Sequence, residues 1–194
     1  MDESIDDDVL VRQALQDAGV FADTFANAFA ILYRRYVQRV YSYSLSRTGN
    51  VQDAQDLTAQ TFLAAMKALD TYEPRGMFSA WLLAIARHKA ADLFRGDRDH
   101  LVLDETGEAD SILPDLTEAV DALVIERLRM EEVTALLTRL NPDRAEALRL
   151  RYFGELKLRE IAQVMDKSEG AVKMLIARGL DDLRKMLAIH EETR

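Results

Sequence analysis

The feature that most constrains this chain is a pair of amphipathic segments joined by a short polar turn near its C-terminal end. In the first segment apolar residues recur at i, i+3, i+4 and i+7, the spacing of one helix face: Leu158, Ile161, Ala162 and Met165. Ser168 suits the N-cap of the second segment, because its hydroxyl can accept a hydrogen bond from a first-turn amide. The spacing predicts a helix-turn-helix over residues 158–187, a unit that places a short helix in the DNA major groove.

The second helix of this pair has two distinct sides. At 100° per residue, one side collects Val172, Leu175, Ile176, Gly179 and Leu183, and the other collects Gly170, Lys173, Met174, Ala177 and Arg178. The second side is free to meet a partner such as DNA. Two ordinary packed surface helices give the same pattern, so the local pattern alone leaves both interpretations open.

Composition excludes several classes of protein. The chain has 194 residues, of which 48% are hydrophobic and 30% charged, as in globular proteins. No apolar run is long enough to cross a bilayer and Met1 is followed by acids, so we expect a cytoplasmic protein. There is no cysteine, and the three histidines (His88, His100 and His190) are far apart. We therefore expect no metal site, no cofactor and no enzymatic activity.

Charge is distributed unevenly along the chain. The formal net charge is −9, which opposes the neutralisation of phosphates on which DNA affinity largely depends. The acid is concentrated in residues 1–20 (net −5) and 101–137 (net −8), whereas residues 21–100 and 138–194 each carry +2. Two mildly basic parts are thus separated by acid, which also fits a solvated linker.

Helical periodicity runs through most of the chain and no strand alternation is visible. Helices are predicted from about residue 25 to 48, 51 to 69 and 77 to 95, and again from residue 117, with a break at Asn141–Pro142 that also starts the next helix. The predicted fold is all-α, with two small helical domains joined by a flexible acidic linker. The expected parts are an acidic N-terminal segment (1–20), a three-helix domain (21–98), the linker (99–116) and a four-helix domain carrying the helix-turn-helix (117–194).

Three further patterns concern the first predicted domain. The outward face of its second helix mixes acids, an amide and a leucine: Asp53, Asp56, Gln60, Leu63 and Lys67. A turn-forming loop is expected to carry Tyr72 and Arg75 outward. One flank of the third helix holds Trp81, Ala84, His88 and Arg95, which could stack on unpaired bases or hold phosphates. A solvated helix face and a half-buried tryptophan with solvated neighbours also explain these patterns.

Five strings, in order along the chain, resemble the signature segments of bacterial sigma factors of the extracytoplasmic-function type. They are FAILYRRY (29–36), DAQDLTAQTF (53–62), FSAWLLAIAR (78–87), LTRLNPDRAEALRLRY (137–152) and SEGAVK (168–173). This type keeps only the two sigma domains called region 2 and region 4. The chain departs from the family at His88, where asparagine is frequent, and at Ala84, where arginine is common.

The resemblance implies roles for the open surfaces. It implies core RNA polymerase binding by Asp53, Asp56, Gln60 and Leu63. It implies contacts with the promoter -10 element by Tyr72, Arg75, Phe78, Trp81, Arg87, His88 and Arg95. It implies major-groove reading of the -35 element by Ser168, Glu169, Gly170, Ala171, Lys173, Met174 and Arg178.

The function that the resemblance implies is a non-enzymatic initiation subunit. Its expected partners are core RNA polymerase, promoter DNA and an anti-sigma factor. A free-standing helix-turn-helix regulator, which would bind duplex DNA as a dimer without polymerase, is the alternative. A third class is a helical decoy that binds polymerase without opening promoters.

Overall fold

The computed structural model describes residues 5–16, 22–99 and 130–192, and this part of the chain consists of helices joined by turns and loops, without strands. Its helices are α1 (Asp7–Gln16), α2 (Ala22–Thr48), α3 (Val51–Lys67), α4 (Phe78–Asp99), α5 (helical residues 130–138), α6 (Pro142–Tyr152), α7 (Leu158–Met165) and α8 (Glu169–Glu192). A 3₁₀ turn at Leu69–Thr71 leads from α3 towards α4. The all-α prediction is confirmed for this part, and most of the predicted linker lies outside the described residues.

Two asparagines start helices in the way their side chains favour. The Asn50 side chain accepts a hydrogen bond from the Asp53 amide at 2.8 Å and so begins α3. The Asn141 side chain accepts from the Asp143 amide at 3.1 Å, with Pro142 in the first turn of α6. Proline fits there because its missing amide hydrogen would have no partner in the helix. The predicted helix start at Asn141–Pro142 is therefore confirmed.

The first unit of the fold comprises α1 to α4. Its core includes Leu32, Tyr43 and Phe78, each at most 1% exposed. Helix α1 packs on α2 and buries Leu10, Val11 and Ala14 completely. The charge pattern predicts a separate acidic segment at residues 1–20, yet the described part of that segment is an amphipathic helix that belongs to the core of this unit.

The second unit comprises α5 to α8. Leu137, Leu140, Ala145 and Leu148 form a small apolar cluster, against which Leu180 and Leu183 of α8 pack. Helices α6 and α8 approach closely at Gly179. A Cβ placed on this glycine would lie only 2.9 Å from Leu148 Cδ1. Within the described ranges no helix is both long and apolar enough to span a membrane.

A buried polar network joins the two units. Glu146 of α6 is 5% exposed and accepts hydrogen bonds from Tyr43 Oη at 2.7 Å and Arg47 Nη1 at 3.2 Å, both on α2. Arg149, 4% exposed, donates from Nε to the Ser46 carbonyl at 3.0 Å. Burial and the nearby Glu146 carboxylate raise the pKa of the Tyr43 phenol well above its ordinary value. The phenol therefore stays protonated and donates.

Further contacts surround this network. They join Arg39 Nη2 to Glu155 (2.8 Å), Ser79 Oγ to Glu160 Oε1 (2.7 Å) and Arg87 Nη1 to the Val164 carbonyl (3.3 Å). Gly154 lies in the same contact, where an added Cβ would approach Leu83 Cδ1 to 2.7 Å. Helices α6 and α7 thus pack directly against α2 and α4.

Candidate nucleic-acid interface

The helix-turn-helix forms as its sequence predicts. Helix α7 ends at Met165, and Asp166 adopts a left-handed conformation (φ 52°) that turns the chain. The Lys167 amide then donates to the Ala162 carbonyl at 2.9 Å. Ser168 Oγ accepts from the Ala171 amide at 3.2 Å, so the predicted N-cap is confirmed. These local bonds fix the angle at which α8 leaves the turn.

One side of α8 packs against the rest of the protein. Val172 is completely buried, and Leu175 and Ile176 are half-buried against the apolar core. All seven predicted DNA-contacting residues are exposed: Ser168, Glu169, Gly170, Ala171, Lys173, Met174 and Arg178. We call this set the recognition face. It presents the positive charges of Lys173 and Arg178, the acid Glu169, and the thioether of Met174, which is 50% exposed.

The recognition face offers the chemistry that DNA requires. Lysine and arginine can neutralise phosphates or donate to guanine acceptors in the major groove. Gly170 has no side chain and Ala171 has only a methyl group, so the exposed surface at the start of α8 is unobstructed. The first-turn amides of a helix also point towards an approaching phosphate.

The loop of residues 72–77, which we call the -10 loop, differs from its prediction in one respect. Tyr72 was expected to point outward, but its side chain is only 5% exposed. Its ring packs against Phe78 and Trp81 with centroids 5.4 Å away in each case. Its hydroxyl donates to Asp8 Oδ1 of α1 at 2.6 Å. The apolar ring and a polar partner together make burial favourable, so the prediction of an outward Tyr72 is wrong.

The other residues predicted for the -10 element fall into two groups. Phe78 is buried (1% exposed) and packs against the Tyr72 ring of the loop, whereas Trp81 is half-buried. Arg75, His88 and Arg95 are exposed. An open cleft of about 210 Å³ lies beside the loop and is lined by Thr71, Tyr72, Glu73, Arg75, Met77, Trp81 and Gln163.

Two arginines on α4 have protein partners in this arrangement. Arg87 contacts the second unit through the Val164 carbonyl and lies 3.7 Å from Glu146 Oε1. Arg95 pairs with Asp92 on the exposed surface of the same helix. Trp81, His88 and Arg95 thus share one flank of α4, whereas Phe78 is buried in the core and Arg87 is engaged by the second unit.

The outward face of α3 is accessible to solvent. Asp56, Gln60 and Leu63 are exposed, and Leu63 exposes 55% of its surface. Asp53 is partly exposed and accepts a hydrogen bond from the Asn50 side chain at 2.6 Å. We call Asp53, Asp56, Gln60 and Leu63 the α3 face. An apolar side chain among acids is suited to contact with another protein.

Sequence reasoning missed two groups that the structure makes prominent. Glu146 was one charge among many on an amphipathic helix, and its burial depends on partners about a hundred residues away. The charge pattern identifies Asp7 and Asp8 only as members of an acidic segment. The spacing of Leu10, Val11 and Ala14 is the signal that identifies α1 as a packed helix and its acids as neighbours of the first unit.

The fold defines an all-helical protein of two units, the second of which carries an exposed helix-turn-helix, an architecture typical of DNA-binding proteins. Models of two sigma-70 domains match this chain, region 2 over residues 32–99 and region 4 over residues 130–183. The sigma factor CarQ of Myxococcus xanthus is 30% identical over 170 residues, which cover 86% of this chain and 93% of CarQ. The chain belongs to the sigma-70 family of RNA polymerase sigma factors and is of the extracytoplasmic-function type.

Two further relatives place it within that family. BldN, an extracytoplasmic-function sigma factor of Streptomyces coelicolor, is 37% identical over 163 residues, covering 84% of this chain. The matched part spans 61% of the length of BldN. The solved structure of CnrH in complex with the cytosolic domain of CnrY covers 95% of this chain and 99% of CnrH, with a TM-score of 0.71 and 25% identity. The predicted family is therefore confirmed. The region 2 match runs from Leu32 in α2 to the end of α4 and leaves α1 outside it, and the region 4 match covers the second unit as far as Leu183. We refer to these two parts as region 2 and region 4.

Proposed function

We propose that this sigma factor binds core RNA polymerase through the α3 face, reads the -35 element with the recognition face, and opens the -10 element beside the -10 loop. The observation that carries the proposal is that all seven residues of the recognition face are exposed on a helix whose opposite side is buried at Val172. That arrangement leaves an ordered, partly cationic surface with no partner among the described residues other than its own N-cap. The proposed subunit performs no covalent chemistry and works in the cytoplasm with polymerase and DNA.

Reading both elements at once requires regions 2 and 4 to separate. Elements centred near -10 and -35 are about 25 base pairs apart, which is about 85 Å at 3.4 Å per base pair. A compact chain of this length has a diameter of only about 40 Å. The predicted linker of residues 99–116 can extend to about 60 Å, which together with the size of the two regions permits the separation.

Core polymerase would supply what the isolated chain lacks. The net charge of −9 weakens attraction to phosphates, whereas polymerase can provide phosphate contacts of its own. Binding energy from the α3 face would also offset the cost of breaking the contact around Glu146. We therefore expect weak duplex binding by the free chain and strong promoter binding by the holoenzyme.

Transcription with purified core polymerase tests the proposal. Templates from a matched genomic library should yield discrete transcripts when the protein is present, and start-site mapping then gives the promoter. A folded protein that supports no transcript on any template contradicts the proposed function. A stable dimer that binds duplex DNA tightly and ignores core polymerase would support the free-standing regulator instead.

The α3 face has its own test. Asp56→Arg reverses an exposed charge at the centre of the face and should weaken core polymerase affinity at least tenfold while leaving the fold intact. Glu132→Arg makes the same change at an exposed position on α5 and serves as the control. Equal affinities of the two variants, measured by fluorescence titration, would remove the α3 face from the proposal.

An anti-sigma factor is a further proposed partner. CnrH, which resembles this chain over nearly its whole length, was solved in complex with the cytosolic domain of CnrY. A protein that binds regions 2 and 4 together would hold them as close as they are here. Co-purification of a partner from the source cell, followed by loss of transcription when that partner is added back, checks this proposal.

A further inference from the structure

Helix α1 is firmly attached to region 2. Leu10, Val11 and Ala14 are completely buried against it. At the start of the helix, Asp7 pairs with Arg35 and accepts a hydrogen bond from the Tyr36 hydroxyl, both on α2. Apolar burial and an ion pair together hold the first turn of α1 in place, and Asp8 is in that turn.

Asp8 joins both ends of the -10 loop. Its Oδ1 accepts from the Tyr72 hydroxyl at 2.6 Å, and its Oδ2 accepts from the Gly76 amide at 2.9 Å. The Tyr72 hydroxyl in turn accepts from the Met77 amide at 3.3 Å. One carboxylate thus connects the first residue of the loop with its last two.

The loop has a shape that needs such support. Gly76 has φ of +66°, a left-handed conformation that glycine adopts without steric cost. Most of the loop is exposed, including Glu73, Arg75 and Gly76. Its main packing contact with the rest of the protein is made by the Tyr72 ring. Loops with few buried contacts lose their order easily. The bonds to Asp8 therefore restrict the part of the chain that borders the cleft.

A carboxylate at this place has two opposite interpretations. It could hold the loop ready for DNA, or it could occupy the site of a phosphate and have to leave before DNA binds. To leave while α1 stays in place, the carboxylate would have to rotate away and give up its bonds to Tyr72 and Gly76, whereas detachment of α1 would expose three completely buried side chains. The anchoring of α1 favours the first interpretation.

We propose that Asp8 is a positioning residue for recognition of the -10 element, holding the -10 loop in the shape that receives unpaired bases. The inference rests on the proposed function of region 2. Asp8 itself need not touch DNA. Its contribution is to reduce the conformational freedom that the loop would otherwise lose when a base binds, which is how preorganisation raises affinity.

Single-strand binding by the holoenzyme tests the proposal. The probe is a fluorescent single-stranded oligonucleotide carrying the -10 sequence of a promoter mapped by transcription. Asp8→Ala should lower holoenzyme affinity for this strand about tenfold or more, because two hydrogen bonds to a charged group are lost. Affinity for core polymerase and for a -35 duplex should stay within twofold of wild type.

Three other variants sharpen the result. Tyr72→Phe keeps the buried ring but removes one of the bonds to Asp8, so it should lose less affinity than Asp8→Ala. The double variant should be no weaker than Asp8→Ala alone, since both changes act through the same connection. Asp70→Ala removes an exposed carboxylate near the same loop, leaves the Asp8 bonds intact and should bind as wild type does.

The outcomes separate the inference from the function it rests on. If wild-type holoenzyme does not bind the -10 strand, the proposed function of region 2 fails. If wild type binds and Asp8→Ala binds equally or more tightly, the positioning role alone is overturned. Equal losses for core polymerase, the -35 duplex and the -10 strand would show a general folding defect and also overturn it. Tyr72→Phe, which preserves packing, decides the matter if Asp8→Ala does not fold.

Discussion

Replacing Glu146 by alanine tests whether the contact between regions 2 and 4 is a substantial part of the folded state. Its carboxylate is the shared acceptor of the interface, and its side chain is only 7% exposed. Alanine removes the hydrogen-bond acceptor of the Tyr43 hydroxyl, and Tyr43 is completely buried. It also leaves Arg47 Nη1 without this carboxylate.

The expected loss follows from those two bonds. An unsatisfied buried hydroxyl costs about 1–3 kcal/mol. The Arg47 side chain is 26% exposed and can turn partly to water, so its bond adds only about 1 kcal/mol. Arg87 is further away and more exposed, and it adds nothing to this sum. Glu146→Ala should therefore lower the free energy of unfolding by about 2–4 kcal/mol, and Glu146→Gln, which keeps an acceptor for Tyr43, by about half as much.

Denaturant titration of the full chain measures the effect. Glu155 provides a matched control, because it also belongs to region 4 and pairs with an arginine of α2, but its side chain is 65% exposed. Glu155→Gln should cost less than about 0.5 kcal/mol. Glu146 and Glu155 variants of equal stability would refute the reasoning.

Three further changes have definite expected outcomes. Gly154→Ala places a Cβ 2.7 Å from Leu83 Cδ1 and 2.9 Å from a backbone carbonyl, so it should destabilise the chain by about 1–3 kcal/mol in the same titration. Ser168→Ala removes the N-cap of α8 and should cost about 1 kcal/mol, seen as a lower Tm. Because the folded state raises the pKa of Tyr43, its contribution to stability is complete below pH about 10 and is lost at higher pH. Tyr43→Phe should flatten that alkaline decline, and an unchanged slope would contradict the assigned cause.

Local features of this fold were predictable because they depend on neighbours in the sequence. The apolar period of α7 and the N-cap Ser168 define the helix-turn-helix without reference to the rest of the chain. Asn141 and Pro142 likewise determine where α6 begins. The exposure of the recognition face then follows from the opposite side of α8 being apolar.

Features that depend on distant residues were not predictable in this way. Tyr72 belongs to a loop whose composition indicates exposure, and its burial depends on a carboxylate 64 residues earlier. Glu146 has an ordinary helical position, and its burial depends on Tyr43, which is 103 residues earlier. A single sequence carries no direct signal for such pairings, because any surface acid has the same local pattern.

The buried network around Glu146 also affects how ionic strength acts on this protein. Salt screens exposed charges strongly and buried ones much less, so the Arg39 and Glu155 pair weakens while the Glu146 bonds persist. Contacts between cations and DNA phosphates weaken steeply over the same range of salt. Rising salt therefore shifts the competition towards the closed form, in which region 4 stays on region 2. Promoter opening by this factor should consequently fall more steeply with salt than its phosphate contacts alone would require.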